Sequence, residues 1–287
     1  MVSSQPIQQR PRWRWPEPSA LPGFAPAFGF VLLYLSLILL IPLAALVARP
    51  WADGWHAAWA AMSSARVVSA LRLSFETAMA AAATNTVAGL GVAWVLARYD
   101  FPGRRLADAA VDLPFALPTA VAGIALATVY GPHGWIGAPL AAVGVKVAYT
   151  RLGIYVALVA VGLPFVVRSV QPVLKDFDAE VEEAALTLGA GPVRRALGII
   201  LPAVGPALIT GFSLAFARAV GEYGSVIFIA GNMPYRSEIA PLLIVIKLDQ
   251  FDYVGAAAVG LAMLLLSFAA LLVINLVQLT LARRGTR

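Results

Sequence analysis

The chain has 287 residues, of which 60% are hydrophobic and 13% charged, with a mean hydropathy of +0.82. A chain this apolar cannot present a water-facing surface on all sides, which excludes an ordinary soluble fold and makes lipid its solvent. The net charge of +6 would suit nucleic acid, but the arginines sit in short clusters between apolar runs instead of along one polar face, so membrane topology explains them and nucleic acid is excluded as a partner.

The apolar runs are continuous and rich in Ala and Leu, a pattern of lipid-crossing helices and not of alternating barrel strands. Residues 1–25, with Arg10, Arg12 and Arg14 among prolines, read as a cytoplasmic N-terminal segment. The run after it is too long for a secretory signal and has no small-residue cleavage site at the right distance, so it is expected to stay in the membrane. Six spans are predicted at 26–48, 73–97, 113–131, 152–170, 203–230 and 255–281, within a transmembrane domain of 26–282 and ahead of a short tail at 283–287. Pro164 and Arg168 crowd the end of the fourth span.

The loops give the orientation. With both termini inside, the cytoplasmic set holds Arg10, Arg12, Arg14, Arg98, Arg104, Arg105, Arg168, Lys175, Arg194, Arg195, Arg283, Arg284 and Arg287. The outer set holds only Arg49, Arg66, Arg72, Lys146, Arg151, Arg236 and Lys247, so the positive-inside bias favours cytoplasmic termini in a multi-pass inner-membrane protein. Trp51, Trp55, Trp59 and Trp135 fall in outer loops, where amphipathic rings suit the headgroup level. His56 and His133 lie apart in loops without a second ligand at metal spacing, and there is no cysteine, so no metal site is predicted.

The longest cytoplasmic connection runs from about 171 to 202, and from Asp176 it reads DFDAEVEEAALTLGAGPVRRALGIILP. Asp176 or Asp178 can cap a helix whose first turn holds Glu180, Glu182 and Glu183, where the helix dipole favours carboxylates. Gly189 and Gly191 end that helix, and Pro192 opens a second one carrying Arg194 and Arg195. An acidic helix on a loop is often no more than a solvated connector. Here, however, Glu183, Ala184 and Ala185, then Gly189, then Ile199, Leu201 and Pro202 stand at the separations of a known motif. They resemble the EAA motif of the membrane subunits of ATP-binding-cassette importers, without gap or mismatch. In that family the segment is the coupling helix that docks in a groove of the ATP-binding subunit. Small alanines permit close approach, the glutamate offers a charge to a basic partner, and the glycine permits a sharp turn.

The chain itself has no G-x-x-x-x-G-K-[ST] loop, so the ATPase is expected on another chain and no cofactor is predicted for this one. Gly89-Leu90-Gly91 lies in an apolar span, where it would let helices pack closely. From about 70 to 280 the sequence resembles the permeases for sulfate, thiosulfate and molybdate, through YDFPGR at 99–104, DLPFALPTAVAG at 112–123 and FARAVGEYGSVIFIAGN at 216–232. The last stretch, with Tyr235, Glu238, Asp252 and Tyr253, is most similar to T-type subunits of sulfate/thiosulfate importers. The resemblance implies an all-α, type I (MetI-like) importer fold, a heterodimer with a related W-type subunit, two copies of the ATPase, and a periplasmic protein that delivers the oxyanion.

The residues alone say less about an anion. Arg218 and Glu222 stand four apart in the fifth span, about 24 and 30 Å along the helix from Pro202, and could either neutralise each other or face a watery path. Gly221 and Gly224 beside them would let a neighbouring helix approach or the chain bend at a gate. Asn85, Thr86, Thr210 and Ser213 fit packing between helices better than a path. A homodimeric molybdate-type permease and an anion channel or secondary transporter stay open, although the last two would not require the EAA spacing.

Overall fold

The computed structural model describes residues 24–285; residues 1–23, most of the predicted N-terminal segment, and the last two of the tail lie outside it. The described part divides into two compact units, the residues before Arg49 and those from Arg49 onward. The first is one apolar rod in which α1 (Phe24–Leu35) and α2 (Ile41–Ala48) are joined by a π-wound turn at Ser36–Leu40.

In the second unit α3 (Trp55–Ser63) precedes α4 (Ala65–Arg98), which begins eight residues before the predicted span. Its 34 residues extend about 51 Å, well beyond the roughly 30 Å of a hydrocarbon core. Then come α5 (Arg104–Val111), α6 (Leu113–Ala116), α7 (Thr119–Tyr130) and α8 (Gly137–Ala142). The third span is thus not the continuous helix expected. Leu117 precedes Pro118 and is extended (φ −86°, ψ 136°), because the proline ring clashes with a helical residue before it.

The fourth span becomes α9 (Arg151–Lys175), and Pro164 and Pro172 are carried inside it without ending it. It is the most enclosed of the long helices, with over half of its most apolar stretch buried. After it follow α10 (Ala179–Thr187), α11 (Pro192–Arg195), a π-wound turn at Ala196–Ile200, and α12 (Leu201–Val220). The predicted fifth span ran on to 230, whereas α12 stops at Val220; a turn at 221–225 leads into α13 (Val226–Ile229). A short α14 (Ala240–Asp249), not foreseen in the sequence, precedes the last span, α15 (Tyr253–Gly285). Five helices among the described residues are long and apolar enough to cross a membrane, and the broken α6–α7 pair supplies the sixth apolar segment.

The core is the packing of α4, α9 and α12. Close approach depends on small residues: a Cβ at Gly89 of α4 would stand 2.8 Å from Val166 of α9, as the glycine pair suggested, although Gly91 faces open space. Asn85 is fully buried against Gly162 and finds no hydrogen-bond partner among the described residues. Thr86, Thr210 and Ser213 bond back to carbonyls of their own helices, Ala82, Pro206 and Ile209.

The two ends of this bundle are chemically distinct. At the end where α9 runs into α10, Arg168 binds both Asp112 oxygens (2.9 and 2.7 Å) and Asp108 Oδ1 (2.7 Å), which fastens α5 to α9. The Arg168 guanidinium, with help from Gln171, holds the Asp108 carboxyl below the usual carboxylate range. At the opposite end Arg66 grips the buried Glu238 with two hydrogen bonds of 2.8 and 2.6 Å, and Arg151 donates to the Arg236 carbonyl at 2.6 Å.

Candidate functional site

Two constellations were singled out in the sequence, and the structure builds each as a defined local device. The first is the loop around α10. Asp178, not Asp176, is its N-cap, accepting from Glu180 N at 2.9 Å. The helix closes with Gly189 N donating to Leu186 O and Ala190 N to Ala185 O, both at 2.9 Å. That pair of bonds is a Schellman motif, and it needs the left-handed backbone that Gly189 supplies at φ +78°. Gly191, by contrast, is extended and caps α11.

The seven motif residues thus take different positions. Glu183, Ala184 and Gly189 are exposed, whereas Ala185 is buried. Leu201 and Pro202 open α12 after a π-wound turn that contains Ile199. Beside them Leu186, Leu188, Val193 and Leu197 expose apolar side chains, Leu188 to 87%. The loop thus exposes apolar side chains beside the carboxylates of Glu180 and Glu183.

What the sequence reading missed is how this loop is attached. Arg98, the last residue of α4, pairs with Glu182 of α10 at 2.5 Å, a charge contact whose alignment is poor for a hydrogen bond. Its guanidinium also lies 5.6 Å from the Trp94 ring centre and 5.8 Å from that of Phe177. The sequence signal was present, since Trp94 and Arg98 stand four apart at a helix end, but the long-range partners Phe177 and Glu182 were not readable.

The second constellation is the turn after α12. Arg218 Nη1 and Glu222 Oε2 are 2.5 Å apart, as their spacing suggested, although Glu222 lies beyond the helix end and folds back. The pair is asymmetric: the Glu222 side chain is 1% exposed and that of Arg218 35%. Glu222 Oε1 also accepts from Ser225 N and Ser225 Oγ, both at 2.8 Å. A carboxylate so satisfied is a fixed anchor, and it holds a guanidinium whose other N–H donors find no acceptor among the described residues.

The turn is pressed onto α7. A Cβ on Gly224 would meet Thr119 Oγ1 at 2.2 Å, and one on Gly123 would meet Ser225 O at 2.3 Å. Gly221, in contrast, has open space beside it, so of the two flanking glycines only Gly224 serves a close approach. The stretches 112–123 and 216–232, read separately in the sequence, therefore form one contact. Thr119, Gly123 and Ser225 belong to this site with Arg218, Glu222 and Gly224.

A bundle of apolar spans whose longest loop folds as two short helices about a glycine turn defines a multi-pass membrane protein. Residues 85–285 match the model of the binding-protein-dependent transport system inner membrane component family, and the chain belongs to that family. Within it the chain is similar to the sulfate transport system permease CysT. The Escherichia coli protein is 46% identical over 264 residues, covering 92% of this chain and 95% of the relative. The probable sulfate permease of Nephroselmis olivacea is 48% identical over 252 residues, 88% of this chain and 89% of the relative. Among solved structures, a bacterial importer of alginate aligns with a TM-score of 0.76 at 15% identity, over 92% of this chain and 96% of that one. The MetNI methionine transporter aligns at 0.55 and 19% identity, over 77% of this chain and 96% of that one. These two likenesses show the fold, that of an ATP-binding-cassette importer's transmembrane domain.

Proposed function

We propose that this chain is the T-type permease subunit of an ATP-driven importer of sulfate and thiosulfate. In this reading it pairs with a related W-type permease, rests on two copies of a separate ATP-binding subunit, and receives its anion from a periplasmic binding protein. The observation that carries it is the likeness to CysT permeases at 46–48% identity over most of both chains. A structural neighbour, a bacterial alginate ABC transporter in complex with an alginate pentasaccharide-bound periplasmic protein, supports delivery from outside.

The local chemistry fits. On α10 the exposed Glu183 and Ala184 face the ATPase, the buried Ala185 seats the helix on its own subunit, and Gly189 turns the chain back toward Ile199, Leu201 and Pro202. ATP is bound by the partner, and this subunit transmits the motion. Arg218, held by Glu222, meets the divalent anion part-way through the bundle, and the same carboxylate keeps the anion from binding too tightly to move on.

The test is radioactive sulfate uptake in a strain lacking its own sulfate permeases, with all partner subunits expressed. Uptake is expected with the intact chain; an assembled complex that takes up no sulfate refutes the reading. Copurification of one permease type only would replace the heterodimer with a homodimer. Orientation is checked with the cysteine-free background: Leu188→Cys should be shielded from an impermeant thiol reagent in intact cells and Trp135→Cys labelled.

A further inference from the structure

Left-handed backbone at residues other than glycine is uncommon, and for a bulky side chain it marks strain that the surroundings must enforce. Among the described residues there are four such positions, and three fall in one corner: Tyr149 (φ 63°), Asn232 (φ 51°) and Tyr235 (φ 63°). The corner lies at the end of α9 that starts with Arg151, about 36 Å from the coupling-loop end by the helix's 25 residues.

Backbone and side-chain bonds lock it. Tyr149 N donates to Ile229 O at 2.7 Å, and Asn232 Nδ2 to Ile227 O at 2.9 Å. Met233 N donates to Ser237 Oγ at 3.1 Å while Ser237 N donates to Met233 O at 2.9 Å. Arg151 Nε crosses to Arg236 O at 2.6 Å and so ties the two segments together. The outcome of this strain is display: Tyr149 and Tyr235 are more than half exposed, and Lys146, Arg151 and Arg236 around them are exposed as well. None of the three cations pairs with a carboxylate among the described residues, because the nearby Glu238 is buried and taken by Arg66.

Rigid tyrosines ringed by unpaired cations have the make-up of a protein-binding hot spot. A small divalent anion would be held by desolvated, converging donors, and these stand on the surface instead. We infer that Tyr149, Tyr235, Lys146, Arg151 and Arg236 form the docking surface for an acidic face of the periplasmic delivery protein. This rests on the importer reading above and adds where the delivery protein sits and what chemistry holds it. Preordering by strain lowers the entropy lost on docking, and the cations steer the approach.

The experiment measures binding of the sulfate-loaded cognate binding protein to the assembled transporter in nanodiscs of phosphatidylcholine, across a salt series. Lys146→Glu with Arg236→Glu should weaken binding at least about tenfold at low salt and flatten its salt dependence. Tyr235→Asn, which keeps a residue tolerant of left-handed backbone, should weaken it about tenfold or more at every salt concentration. In uptake assays both defects should raise the half-saturating concentration of binding protein and be relieved by excess. Wild-type binding by both variants overturns the docking surface and leaves the importer reading standing. Absence of binding by the unmodified transporter overturns both. Defects that emerge only in nanodiscs with phosphatidylglycerol would assign the patch to lipid headgroups and also overturn it.

Discussion

Replacing Arg98 with leucine tests whether α4 and the loop around α10 move together. The arginine makes one ion pair with Glu182, both side chains less than a quarter exposed, and two ring contacts with Trp94 and Phe177. A partly shielded pair contributes about 1 kcal/mol, and each cation–π contact about 0.5–1 kcal/mol, so the attachment of α10 to α4 should weaken by about 2–3 kcal/mol. That corresponds to roughly 30- to 150-fold more frequent opening of the loop, since 1.4 kcal/mol is a factor of ten. Hydrogen exchange of the amides of Glu182 to Leu188 should accelerate accordingly in the purified complex, while amides in the middle of α9 keep their rates. Sulfate-stimulated ATP hydrolysis should fall relative to basal hydrolysis, and uptake with it. Glu182→Gln should show a milder form of both, because the ring contacts remain. Unchanged exchange on α10 in Arg98→Leu would refute the attachment, and faster exchange with full coupling would refute its role in transmission.

Four further outcomes follow from the same geometry. Gly189→Val places a β-branched residue at φ +78° and should break the Schellman closure, costing about 1–3 kcal/mol locally, with loss of ATPase copurification as the readout. Arg218→Gln should abolish sulfate uptake with assembly intact and Arg218→Lys should retain part of it; wild-type uptake by the glutamine variant would make the pair purely structural. Exchanging the two charges is a poor test, because an arginine at 222 cannot accept the two bonds from Ser225. Gly123→Ala should lower the melting temperature more than Gly224→Ala, since its obstacle is the Ser225 backbone and not a side chain, and only the second should be partly relieved by Thr119→Ala. Finally, Asp108 has its pKa lowered in the folded state, first by the hydrogen bond from Arg168. Its stabilisation is therefore complete above the unfolded carboxyl value, near pH 4, and is lost as pH falls through the lowered folded value. The melting difference between the unmodified protein and Asp108→Asn should be constant near neutrality and vanish at low pH.

Much of this protein is legible because lipid makes the sequence periodic in a coarse way: long apolar runs must be helices, and five of the six predicted segments are helices long enough to cross, while the third is broken. What could not be read is where helices stop inside such a run. Leu117-Pro118 and the Gly221-Glu222 turn break apolar stretches whose composition does not change across the break, and at 222 the stop depends on Ser225. Arg168 illustrates a different limit. Counted as a topogenic charge, it proves to be the hub of α5 and α9, and only the fold brings Asp108 and Asp112 to it. The loop around α10 was readable nearly residue by residue because caps and glycine turns are local chemistry. Its anchor, Arg98 on Glu182, joins residues 84 apart and was not.

The unbroken length of α4 has a mechanical corollary. The helix is pinned at Arg66 by Glu238 and at Arg98 by Glu182, and its close packing on α9, with Asn85 against Gly162, falls between them. Measured from Asn85, the arms are about 28 Å and 20 Å by residue count. A tilt of only 5° about that point would swing one end by about 2.5 Å and the other by about 1.7 Å in the opposite direction, with no helix bending at all. A lever of that proportion lets a small displacement of the loop around α10 reach the far end of the helix enlarged.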